Sequence, residues 1–127
     1  LGYDRYEVSN FAKPGQECRH NQGYWRRSPY AGFGLAAHSF LDGRRIANTS
    51  ELAAYLAGDT CQSVQTLTPR DAHEETLMLS LRTREGVLAA ALSQTERARA
   101  DDFVKKGLLF LPSISIIGLQ KSGFKKF

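Results

Sequence analysis

The sequence reads as an α+β chain, and three features carry that reading. Strand-like segments occupy its first third. Among them Asp42-Gly43, flanked by His38-Ser-Phe-Leu41 and Arg44-Arg-Ile-Ala-Asn48, is a strong two-residue hairpin signal. Helix start signals then recur at Ser50, Thr68-Pro69 and Ser93. After the last helical segment come two apolar stretches, Leu108 to Leu111 and Ile114 to Ile117, separated by Pro112-Ser113. Helices followed by a β-ribbon is the order of a winged helix.

The bulk numbers bound the rest. At 127 residues and 14.1 kDa the chain makes one ordinary domain, or one small domain plus a piece of another. With 42% hydrophobic and 24% charged residues the composition is that of a soluble globular protein. No apolar run approaches the ~20 residues of a membrane span. The start, Leu1-Gly2-Tyr3-Asp4, lacks a basic region followed by an apolar one, so a cytoplasmic location is expected. No methionine opens the chain, and a piece of a longer protein is expected. Cys18 and Cys61 form no CxxC pair and are too few for a disulfide framework, which predicts reduced thiols. The net charge of +4 is local, concentrated in Arg26-Arg27, Arg44-Arg45 and the tail Lys121, Lys125 and Lys126.

Taken in order, residues 5–11 alternate polar with apolar side chains and predict a short strand, ended by the turn Lys13-Pro14-Gly15. Residues 16–29 have no clean period, which places His20, Asn21 and Tyr24 on a loop or a short turn of helix. Gly32-x-Gly34-x-x-Ala37 formally matches a dinucleotide fingerprint. Arg26-Arg27-Ser28-Pro29 precedes it where a hydrophobic strand is required, so these glycines read as places of close backbone approach. Beyond the hairpin, Ser50 predicts a helix to Ala57 ended by Gly58, and Thr68-Pro69 a helix to about Arg84 with Leu77 and Leu81 on its buried stripe. His73, among Glu74 and Glu75, reads as a solvated surface histidine. Val87 to Leu92 suggests a short apolar turn of helix, and Ser93 caps a helix over 94–106 closed by Gly107. Residues 120–127 admit either another helix or an irregular tail.

Chemically able side chains concentrate between Tyr6 and Ser39, which hold two of the three histidines, the only tryptophan and three of the five tyrosines. Tyr6-Glu-Val-Ser-Asn-Phe-Ala12, the run Cys-Arg-His-Asn-Gln-Gly-Tyr-Trp at 18–25, Gly32-Phe-Gly34 and Ala37-His-Ser39 carry a resemblance. In this order they resemble the C-terminal part of the oxygen-independent coproporphyrinogen III oxidase family of radical-SAM proteins. Within that family, His20-Asn21-x-x-Tyr24 is similar to the HNxxY signature of the heme chaperone branch. Leu79-x-Leu81-Arg82, Glu85-Gly86, Lys106-Gly107-Leu108 and Leu119-Gln-Lys-Ser-Gly123 extend the likeness over most of the chain. Two departures stand out. The CxxxCxxC loop that holds the family's cluster is missing, and Leu35-Ala36 stands where the family usually has Pro-Gly.

The resemblance implies two parts: residues 1–48 as the final strands of a partial (β/α) barrel, and residues 49–127 as a helical, winged-helix-like domain. It implies heme as the bound group, with His20 as axial ligand to the iron, Asn21 orienting the imidazole or a loop carbonyl, and Tyr24 and Trp25 supplying aromatic faces. Arg19, Arg26 and Arg27 are then expected to meet the propionates. In the related oxidases the positions matching Gln22 and His38 line the region of bound SAM, which makes both cofactor-pocket candidates. SAM and a [4Fe–4S] cluster are expected only in a full-length parent, and this chain is expected to be inactive in radical chemistry alone. Heme or a porphyrin and the missing N-terminal barrel are the implied partners, and the exposed edges of torn barrel strands favour a homo-oligomer. Two other functions compete: an oxidase that decarboxylates propionates in heme biosynthesis, and a winged-helix nucleic-acid module. Against the latter, the helix that would read a groove carries Glu96, Asp101 and Asp102.

Overall fold

A computed structural model of the chain describes residues 2–113 and 116–119. The expectations for residues 120–127, and those for Ile114, lie outside the described residues. The chain divides into two compact units, one made of residues up to Arg26 together with those from Leu77 onward, the other of Arg27–Thr76.

In the first unit the opening segment is a tight antiparallel pair instead of the single strand the alternation predicts. Strands β1 (Asp4–Arg5) and β2 (Phe11–Ala12) pair with Asp4 opposite Ala12 and Arg5 opposite Phe11. Polar groups between them turn the chain back. The Tyr6 N–H donates to the Asn10 carbonyl at 3.2 Å and the Ser9 N–H to Glu7 Oε2 at 3.0 Å. The middle of the segment finds another partner: Glu7 bridges Thr83, and the Arg84 N–H donates to the Tyr6 carbonyl at 2.9 Å. The Lys13-Pro14-Gly15 turn forms as expected, with Gly15 at φ +79° and the Gln16 N–H donating to the Lys13 carbonyl.

Helix α1 (Arg19–Trp25) follows, and the rest of this unit comes from the second half of the chain. Val87–Leu88 is a strand, β6, and only Ala89–Ala91 turn helically, as a 3₁₀ turn. The expectation of a helical turn from Val87 fails because Val87 and Leu88 pair with Ile117 and Ile116 of β8 (Ile116–Leu119), which satisfies their backbone in a ladder. With β7 (Leu109–Ser113) the sheet has the order β6-β8-β7, all antiparallel. Helix α4 (Gln94–Lys105) lays Ala100 against Leu109 and Ile117, and Leu81, Ala89, Leu92 and Val104 pack around them. Its start is a complete capping box, with the Ser93 hydroxyl accepting from the Glu96 N–H and the Glu96 carboxylate accepting from the Ser93 N–H. Ser93→Ala is therefore expected to cost about 1 kcal/mol, read as a lower urea midpoint at unchanged slope.

The second unit is built on the expected hairpin. Strands β3 (His38–Leu41) and β4 (Arg44–Asn48) meet through Asp42 at φ +50° and Gly43 at φ +71°, as a type I′ turn requires. A third strand, β5 (Cys61–Thr66), adds antiparallel to β4. Helix α2 (Leu52–Leu56) lies between them in sequence and takes Glu51, not Ser50, as its N-cap, with no side-chain cap; just before it the Thr49 hydroxyl accepts from the Glu51 N–H at 3.1 Å. Helix α3 (Pro69–Ser80) begins where Thr68-Pro69 predicts. The Thr68 hydroxyl and N–H both donate to the Asp71 carboxylate, which holds that carboxyl below its ordinary range. The helix ends at Ser80, short of Arg84, since residues 83–84 bond to the opening segment. Glu75 accepts from Arg27 Nε at 2.8 Å and pairs with Arg45. Among the described residues no helix is long and apolar enough to cross a membrane.

Candidate functional site

Four of the five residues singled out from sequence stand on α1. This helix of seven residues has weak local support: Cys18 precedes it with no side-chain cap, and Gly23 sits inside it. Arg26 closes it and Arg27, at φ +54°, turns the chain away. The helical spacing sorts its side chains. His20 and Tyr24, four apart, share an exposed face, with ring centroids 4.9 Å apart at 83° in an edge-to-face contact. Gln22, Trp25 and Arg26 share another face and line a cavity of about 270 Å³. Asn21 is half-buried.

An axial ligand, the role the resemblance implies for His20, needs an accessible ring. Its imidazole is exposed, and among the described residues it makes no hydrogen bond. The arginines expected around a propionate divide differently. Arg26 donates to Glu85 at 2.6 Å, and that carboxylate raises its already high pKa. Arg27 is bound to Glu75 and lies 5.1 Å from the Phe40 ring. Arg19 carries no ion pair among the described residues and lies next to His20 at the helix start. The donor set fits a single axial imidazole. It does not fit an iron–sulfur cluster, because Cys18 and Cys61 are the chain's only thiols and both are exposed.

His38 belongs to the other unit, on β3 opposite Ala47, with its side chain exposed. Its neighbour Ser39 is the buried one, accepting from the Gly32 N–H at 2.9 Å. His73 is exposed on α3, as expected.

One residue that sequence reasoning passed over is Glu7. It is 2% exposed, the largest fully buried side chain among the described residues, and lines the same cavity as Gln22. The available signal was an acid between Tyr6 and Val8, in a run whose alternation made it look like the solvent side of a strand.

No protein-family model matches the chain. Curated relatives do. The heme chaperone HemW of Synechocystis sp. is 38% identical over 108 residues, 77% of this chain and 26% of that protein. The HemW of Mycobacterium tuberculosis is 37% identical over 113 residues, 85% of this chain and 29% of that protein. That of Bacillus subtilis is 31% identical over 121 residues, 85% of this chain and 32% of that protein. The chain thus spans roughly a quarter to a third of the length of these relatives. Among solved structures, coproporphyrinogen III oxidase (HemN) of Escherichia coli, a radical SAM enzyme, superposes with a TM-score of 0.66 at 19% identity, over 96% of this chain and 34% of that one. The chain is therefore a homologue of the heme chaperones HemW, matching the C-terminal portion of those proteins, and it has the mixed α/β fold of the corresponding region of the radical-SAM protein HemN.

Proposed function

We propose that this chain serves heme trafficking as part of a longer protein, with His20 on α1 as the axial ligand of a carried heme. Two observations carry the reading together: the similarity to heme chaperones over 108 residues, and the His20-Asn21-x-x-Tyr24 run in the sequence. The geometry supports it. An exposed imidazole beside an exposed phenol ring offers one nitrogen and one aromatic face to a flat macrocycle, and Arg19 offers a charge for a propionate. Asn21 orients the imidazole or a loop carbonyl, and Gln22 and His38 stay cofactor-pocket residues of the longer protein. The division into a barrel edge over 1–48 and a winged-helix-like part over 49–127 belongs to the same proposal, with β5 of the second part completing the sheet begun by β3 and β4 of the first.

Hemin titration of the chain tests it. His20→Ala is expected to weaken binding about tenfold or more, equivalent to about 1.4 kcal/mol, and to shift the Soret band. Tyr24→Phe keeps the ring and is expected to do less. His73→Ala is expected to change nothing. Hemin spectra and affinity identical in all three variants and the parent would remove His20 from the site.

A further inference from the structure

We infer that the cavity bordered by α1 seats one monocationic nitrogen group, a primary ammonium or a guanidinium, with the Glu7 carboxylate as its counter-charge. Glu7 is 2% exposed at the wall of that cavity. Its Oε2 accepts from the Ser9 N–H at 3.0 Å, while Oε1 is enclosed with no hydrogen-bond partner among the described residues. A carboxylate taken out of water without a donor or an opposite charge is strongly disfavoured.

The neighbouring charges do not supply the missing partner. Arg26 is bound to Glu85 at 2.6 Å, and Arg84 lies 3.7 Å from Glu17. All four of these residues line the cavity with Glu7, so three carboxylates face two guanidiniums and Glu7 is the surplus negative charge. Trp25 and Tyr6 add aromatic walls, which favour a cation further. The volume of about 270 Å³ has room for a guanidinium-sized group. An anion is excluded by the same charge count. The cavity is therefore no seat for a heme propionate, and the inference stands apart from the heme reading. The cation has two sources, a free small amine or guanidine and a Lys or Arg side chain of a polypeptide.

The test is an amide NMR titration of the folded chain with methylguanidinium chloride, with sodium acetate as the anionic control at equal ionic strength. Methylguanidinium is expected to give saturable shifts at Glu7, Thr83 and the Trp25 indole, and acetate none. Glu7→Gln keeps an acceptor for Ser9 and removes the charge. It is expected to weaken binding about tenfold or more and to raise the thermal midpoint of the free chain. Asp59→Asn, on the surface of the other unit, is expected to leave binding unchanged. Arg84→Gln frees a second carboxylate, Glu17, and is expected to tighten binding, a change of opposite sign that does not depend on Glu7→Gln folding. A capped arginine tripeptide binding more tightly than methylguanidinium would assign the group to a polypeptide side chain, and weaker binding to a free small cation. The inference is overturned if neither cation gives saturable shifts, if acetate reproduces them, if they persist in Glu7→Gln, or if Arg84→Gln weakens binding.

Discussion

Gly32→Ala is expected to be the most damaging single substitution in the unit built on β3, β4 and β5. A Cβ placed on Gly32 would lie 2.2 Å from the His38 carbonyl oxygen, 2.9 Å from its carbon and 3.0 Å from its nitrogen. These are backbone atoms of a paired strand, so no rotamer change relieves the clash. The segment is pinned from both sides: Tyr30 and Phe40 exchange two backbone hydrogen bonds of 2.9 Å, and the Gly32 N–H donates to the Ser39 hydroxyl. Moving Gly32 away breaks these bonds; leaving it in place keeps the overlap. The expected cost is about 3 kcal/mol or more, read from urea unfolding, with loss of amide protection concentrated in β3 and β4. Gly58→Ala is the comparison. Gly58 has φ +92° with nothing within 4 Å of the added carbon, so only the left-handed backbone is penalised, at about 1–2 kcal/mol. A Gly32→Ala chain as stable as Gly58→Ala would mean that this close approach does not hold in solution.

The same glycine shows what the sequence could and could not convey. Gly32-x-Gly34-x-x-Ala37 was readable as close backbone approach, since the hydrophobic strand of a dinucleotide turn was missing, and Gly32 does lie against a neighbouring strand. Punctuation was legible wherever its cause is local: Asp42-Gly43, Pro14-Gly15, Thr68-Pro69, and Ser93 with Glu96 all act within four residues of themselves. Pairing at a distance was not. β5 carries Val64 as its only aliphatic side chain, is exposed along its whole length and exists through its ladder with β4, so it has no hydrophobic pattern to read. Val87-Leu88 looked helical because its partner strand lies some thirty residues further on.

The site divides along the same line. The His20 and Tyr24 face was visible as a spacing of four, which any helix turns into a shared face. The fates of Arg26 and Arg27 were not, because Glu85 and Glu75, which claim them, are about fifty residues or more away in sequence. Glu7 was hidden for a related reason. Its burial comes from the bridge to Thr83, a contact that no window around residue 7 contains.

Ile117→Ala is expected to be the largest loss in the other unit. Ile117 is 3% exposed, stands opposite Val87 in the ladder between β6 and β8, and packs with Leu109 against Ala100 of α4. Its partners include residues from both sides of α4, so the space it leaves is walled by a helix and two strands that cannot close on it together. Ile→Ala at such a site costs about 2–5 kcal/mol, against about 0.5–1.5 kcal/mol for Ile117→Val, which removes one methylene and keeps the branched shape. β6 begins just after Arg84 and Glu85 of the cavity wall, so the damage is expected to reach the ligand as well. Methylguanidinium affinity should fall in Ile117→Ala even under conditions where far-UV circular dichroism still reports a folded chain, and stay near the parent value in Ile117→Val. Equal stability for the two variants would show that Ile117 is not the centre of this core. A stability loss with unchanged affinity would show that the sheet bears no load in shaping the wall around Glu7.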